Sequence, residues 1–60
     1  MTLSIKQREV GKCYVTVRAL DTGYDVGIYK DGQTVRRNYY GTEKQALRCF
    51  YRYCKQARNF

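Results

Sequence analysis

The sequence predicts an α+β fold, a three-stranded antiparallel meander packed against one C-terminal helix. Three observations carry this. Residues 12–40 alternate apolar and polar in strand fashion, broken at two turn signals. After residue 42 the apolar period becomes that of a helix. The chain of 60 residues has room for one thin core, which suits a single sheet covered by a single helix.

The whole chain, residues 1–60, reads as one domain without linker or repeat. Residues 1–11 are an arm or a short edge strand, since Leu3 and Ile5 alternate but little else does. Residues 12–20 place Cys13, Val15, Val17 and Ala19 on one face and Tyr14, Thr16 and Arg18 on the other. Asp21-Thr22-Gly23 is a turn signal. Residues 24–30 then put Tyr24, Val26 and Ile28 on one face. Asp31-Gly32 is a two-residue hairpin signal, and residues 33–40 form the third predicted strand of the sheet.

Register follows from the turns. A tight turn at Asp31-Gly32 pairs Lys30 with Gln33, Ile28 with Val35, Val26 with Arg37 and Tyr24 with Tyr39. The preceding turn pairs Ala19 with Tyr24, Val17 with Val26 and Val15 with Ile28. The apolar residues then share a face, with one misfit: Arg37 falls on the core side. Thr42 is a good N-cap, Gln45 three residues on completes a capping box, and Glu43 suits the first turn of a helix at 43–57. Ala46, Leu47, Phe50, Tyr53, Cys54 and Ala57 make its apolar stripe. The expected core is Val15, Val17, Val26, Ile28, Val35, Leu47, Phe50 and Cys54, with Tyr24, Tyr39 and Tyr53 beside it.

Twelve Lys and Arg against five Asp and Glu give a formal charge of +7. From Arg36 onward the only acid is Glu43. A field of one sign repels itself and is relieved by an anionic partner, nucleic acid above all; a solubilising charge excess is the plainer alternative. No histidine, no suitably placed acidic pair, no phosphate-cradling loop and no metal-ligand spacing can be found, so neither an enzyme nor a cofactor, metal or small-molecule substrate is expected. Cys13, Cys49 and Cys54 are odd in number and include no Cys-x-x-Cys. Residues 1–10 carry no apolar leader and no run is long enough to span a membrane, so reduced thiols in the cytoplasm are expected.

Two surfaces are candidates for binding. With the helix on one side, the predicted register leaves Tyr14, Thr16, Arg18, Asp25, Gly27, Tyr29, Thr34, Arg36, Asn38 and Tyr40 on the open face. There Tyr14 and Tyr29 could stack on bases, while Arg18 and Arg36 could bond phosphate or a base edge. An ordinary cross-strand tyrosine pair and an Arg18–Asp25 surface ion pair are the alternative. On the outer helix face Lys44, Arg48, Arg52 and Lys55 recur at helical spacing, with Tyr51 among them. Like charges at that spacing repel by roughly 0.2–0.5 kcal/mol per pair, which points to an anionic surface; a plain solvated face is the alternative.

Three strands, the break at Tyr39-Tyr40-Gly41-Thr42 and the helix from Ala46 to Tyr51 resemble two DNA-binding groups. These are the plant ethylene-response-factor domains and the arm-binding domains of phage tyrosine recombinases, which use the sheet in the major groove. The chain lacks their tryptophans and arginine-rich first strand, so no base-contacting role is carried over. In size and composition it also resembles small phage-encoded proteins, including anti-CRISPR proteins. The first resemblance implies a nucleic-acid-binding module. The second implies a protein-directed inhibitor or adaptor that meets an acidic surface on a host nucleoprotein complex.

Overall fold

The computed structural model describes residues 3–60. Four strands, β1 (Leu3–Val10), β2 (Cys13–Leu20), β3 (Gly23–Lys30) and β4 (Gln33–Tyr40), precede the helix α1 (Glu43–Ala57). All pairings are antiparallel, in the order β1-β2-β3-β4. Each strand has eight residues and each hairpin loop two, so the turns fall ten residues apart. At the last turn Asp31 and Gly32 both take positive φ, 53° and 77°, as a type I′ hairpin requires. Gly23 has no room for a side chain: a Cβ there would lie 2.7 Å from the Tyr40 carbonyl oxygen.

The sequence predicts three strands; the fourth is β1, formed by the segment read as an arm or short edge strand. Its alternation is broken by a register shift between Ser4 and Lys6. Ile5 packs against the core while Leu3 remains exposed.

The β2–β3 register agrees with the sequence-based pairings, Val15 opposite Ile28 and Val17 opposite Val26. The β3–β4 register begins as expected, with Lys30 opposite Gln33 and Tyr29 opposite Thr34, and then slips. Val35 is an extra, unpaired residue, so Ile28 meets Arg36 and Gly27 meets Arg37. A bulge of this kind moves every later side chain to the other face. Val35 and Tyr39, expected in the core, are therefore 39% and 58% exposed. Tyr40, expected on the open face, packs against the core instead. Arg36 pairs on the helix side and Arg37 on the open side, which removes the misfit. Both edge strands thus carry a bulge, a feature that hinders edge-to-edge association.

The helix occupies residues 43–57 as expected, and the Thr42 hydroxyl accepts a hydrogen bond from the Gln45 backbone N–H at 3.3 Å. Its inner face presents Ala46, Cys49, Phe50, Tyr53, Cys54 and Ala57 to Cys13, Val15 and Val17 of β2 and to Val26 and Ile28 of β3. Leu47, expected in the core, is half-buried at its margin. The helix lies mainly over the two central strands, which leaves the helix-side residues of β1 and β4 at its flanks. The cysteines are all buried and free. No described helix is long and apolar enough to cross a membrane.

Candidate functional site

The open sheet face is a set of side chains bound to one another. Asp25 on β3 lies opposite Arg18 on β2. Arg18 grips both of its carboxylate oxygens, through Nε at 3.0 Å and through its terminal nitrogen at 2.6 Å. Arg37, brought to this face by the bulge, donates to the same carboxylate at 2.7 Å. What reads from sequence as a surface ion pair is thus a three-member cluster around a carboxylate only 1% exposed. Burial alone would push the Asp25 carboxyl up; the hydrogen bonds and charges of Arg18 and Arg37 outweigh it and hold the group below its usual range. Arg37 also approaches the Tyr39 ring, 5.0 Å from its centroid.

Tyr14 and Tyr29, the predicted stacking residues of this face, are both engaged. Tyr14 donates its hydroxyl to the Gln7 side-chain oxygen. Tyr29 lies along its own strand over Gly27, where a Cβ would come within 2.9 Å of the Tyr29 hydroxyl. The space beside Gly27 is therefore filled by Tyr29. Between the two rings a shallow depression is lined by Ser4, Gln7, Tyr14, Thr16, Arg18 and Tyr29.

The opposite, helix-side surface has a different character. Helical periodicity of about 100° per residue places Lys44, Arg48, Tyr51, Arg52 and Lys55 on one outward arc, and all five are exposed. Arg58, just past the helix, continues the same stripe. The flanks add to it. On one side β1 contributes Lys6 and Arg8, which sequence reasoning left in an unreadable segment. On the other, Arg36 donates to the Gln56 side-chain oxygen at 2.7 Å and lies 5.8 Å from the Phe60 ring centroid. Arg36 was expected on the open face; the bulge puts it here.

Eight of the chain's twelve basic residues, Lys6, Arg8, Arg36, Lys44, Arg48, Arg52, Lys55 and Arg58, therefore gather on the helix, its C-terminal end and the flanking edge strands, and Lys30, opposite Cys13 at the end of β3, faces the same side. None of them makes an ion pair among the described residues; those that occur there join Asp25 to Arg18 and Arg37. The predicted site residues thus separate into two groups: Tyr14, Arg18 and Tyr29 on the open face, the remaining six on the helix side. Alternation of Lys6 and Arg8 with Val10 along β1 is the sequence signal that could have placed the flank.

Tyr51 stands in the middle of the basic stripe, 49% exposed. Phe50 meets it edge-to-face at 5.5 Å. Lys6 donates to its hydroxyl at 2.8 Å, with the ammonium 5.1 Å from the ring centroid. Those two distances put the ammonium out beyond the hydroxyl, so it anchors the ring by its edge and does not cap a face. Beneath the helix, Cys49 lies between Tyr40 and Tyr53: hydrogen bonding to Cys49, then burial, push the Tyr40 hydroxyl up. Burial, then the charge of Cys49, push Tyr53 up to about 12.

Among the described residues no group of three His, Cys, Asp or Glu side chains is placed to hold a metal ion. Comparison with protein-family models, with curated proteins and with solved structures finds no match for this chain.

Proposed function

We propose that this chain is a nucleic-acid-binding module that contacts its ligand with the helix-side surface. The observation that carries this reading is the collection of eight basic side chains, free of ion pairs among the described residues, around an exposed and anchored tyrosine. Each is long enough to reach a phosphate, and their mutual repulsion falls when counterions or phosphates intervene. The stripe from Lys44 to Arg58 covers about 21 Å of helix axis at 1.5 Å per residue, enough for several phosphates. The open face suits this task less well, because Arg18 and Arg37 are committed to Asp25. On this reading the module acts by binding.

A protein-directed inhibitor or adaptor, of the kind anti-CRISPR proteins exemplify, is favoured by one observation: the ordered tyrosine-lined depression on the open face, bounded by Tyr14 and Tyr29. Anchored aromatics of this type form interface hot spots.

Fluorescence anisotropy against duplex DNA, single-stranded DNA and RNA decides between the two. Binding should weaken steeply with salt, log K falling by roughly 0.7–0.9 per phosphate neutralised for each tenfold rise in salt. Absence of binding to all three ligands at about 50 mM salt, where such contacts are strong, removes the nucleic-acid reading. A stoichiometric protein partner recovered from nuclease-treated host lysate would then favour the second.

A further inference from the structure

We infer that the notch between β1 and the C-terminal half of α1 seats the terminal phosphate of a nucleic-acid strand, with the adjoining base stacked on Tyr51. This rests on the reading of the helix side as a nucleic-acid surface and names the part of the ligand that one end of it takes. The notch is walled by Arg8 of β1 and by Tyr51, Lys55 and Arg58 of the helix side, over a floor of Val10 and Cys54. It differs from the rest of the basic surface in being concave, and the cations reach it from two separate elements.

The helix alone does not account for this grouping. Lys55 in the last turn is explained by the negative end of the helix dipole. Arg8 is not, because it arrives from β1, opposite Val15. The positive field converges on the floor: Arg8, Arg58 and Lys6 all act on the Cys54 sulfur and oppose the upward push that burial gives its thiol. Cys54 itself is 7% exposed, so the field acts on whatever occupies the notch. Glu9 lies at its rim as the one acid, leaving a net positive seat.

The chemistry of the ligand follows from charge and position. A phosphodiester carries one negative charge, whereas a phosphomonoester carries about −1.5 to −2 at neutral pH. Three convergent cations match the second better. The notch also lies where the stripe ends, beside the β1–β2 turn at Gly11-Lys12. A strand running along the helix from Lys44 would finish there. Tyr51 borders both the stripe and the notch, and Lys6 holds it by its hydroxyl with the ring faces uncapped by the ammonium. A base attached to the seated phosphate can stack on such a ring, an interaction worth roughly 1–3 kcal/mol per base.

The test compares short oligothymidylates that carry a phosphate at the 5′ end, at the 3′ end, or at neither, with free thymidine monophosphate and inorganic phosphate as competitors. One phosphorylated form should bind on the order of ten- to a hundredfold more tightly than the unphosphorylated strand, the worth of one or two charge-assisted hydrogen bonds. Arg8→Ala with Arg58→Ala should erase that preference, so that the variant binds phosphorylated and unphosphorylated strands equally, whatever it takes from the affinity common to both. Lys44→Ala, at the far end of the stripe, should weaken both strands alike. All three positions are exposed, so the fold should persist, and circular-dichroism melts check this. Equal binding of phosphorylated and unphosphorylated strands overturns the inference and leaves the nucleic-acid reading standing. A preference that survives the double substitution also overturns it. Competition by thymidine monophosphate or inorganic phosphate as strong as by the phosphorylated strand identifies a free-anion seat and overturns the assignment to a strand end. Failure of every oligonucleotide to bind removes both readings.

Discussion

Asp25 is the residue whose chemistry is most tightly tied to the fold. Its carboxylate is buried on a face that is otherwise open, and two guanidiniums from neighbouring strands close over it. In the unfolded chain the group titrates near its ordinary value of 3.8, and in the folded protein it titrates lower. Between the two, the unfolded chain binds more protons, so this contribution to stability is complete above pH 3.8 and is lost as pH falls through the folded value. At the other end burial raises the Cys54 thiol from 9.0 and, further up, the Tyr53 hydroxyl. The Tyr53 hydroxyl is raised from 10.0 to about 12, so its contribution is complete below pH 10.0 and is lost as pH rises toward 12. Denaturant melts across pH should therefore show a plateau with an acid and an alkaline limb. Asp25→Asn should flatten the acid limb and lower the plateau by about 1.5–3 kcal/mol, the scale of hydrogen bonds to a charged group. An acid limb unchanged in that variant would mean that the cluster does not govern acid stability.

At the scale of elements, stability rests on how the helix seats on β2 and β3. Phe50 is the largest fully buried side chain in that contact. Replacing a buried Phe with Ala costs about 3–5 kcal/mol. A domain of this length has on the order of 3–9 kcal/mol in total, so Phe50→Ala should leave the chain largely unfolded at 37 °C by circular dichroism. A cooperative native melt in that variant would show that the helix is not what closes the core. The central elements were legible because two signals agreed on each: alternation with turn residues for β2 and β3, and a cap with a helical stripe for α1. The edges were not. In β1 the shift between Ser4 and Lys6 breaks the alternation of an already polar segment. In β4 the sequence around Val35 reads as regular strand, and nothing local marks the extra residue. The one trace of it was indirect, the placing of Arg37 on the core face, which a one-residue slip removes.

For the molecule as a whole, the fold separates charge. The open face turns Arg18 and Arg37 inward onto Asp25, while the helix, its C-terminal end and the flanking edge strands gather eight cations. The helical part of that surface was legible in the spacing of Lys44, Arg48, Arg52 and Lys55. Its flanks, Lys6, Arg8 and Arg36, were not, because only the packing of edge strands against the helix brings them there. This separation makes paired substitutions informative. Arg48→Ala with Arg52→Ala removes two cations from the stripe and touches no buried group. Tyr14→Ala with Tyr29→Ala opens the depression on the other face and leaves the stripe intact. If the helix side binds nucleic acid, the arginine pair should weaken binding to every sequence alike. It should also lower the slope of log K against log salt by about two, close to one unit for each phosphate that is no longer neutralised. The tyrosine pair should leave that slope unchanged. The reverse pattern, with salt slope insensitive to the arginines and binding abolished by the tyrosine substitutions, would assign the ligand to the open face. A phosphate-dominated interface spreads its energy along the basic stripe, whereas a protein interface concentrates it in a few anchored aromatics and leaves rim charges to set the on-rate. The two salt slopes therefore report both where the partner sits and what kind of partner it is.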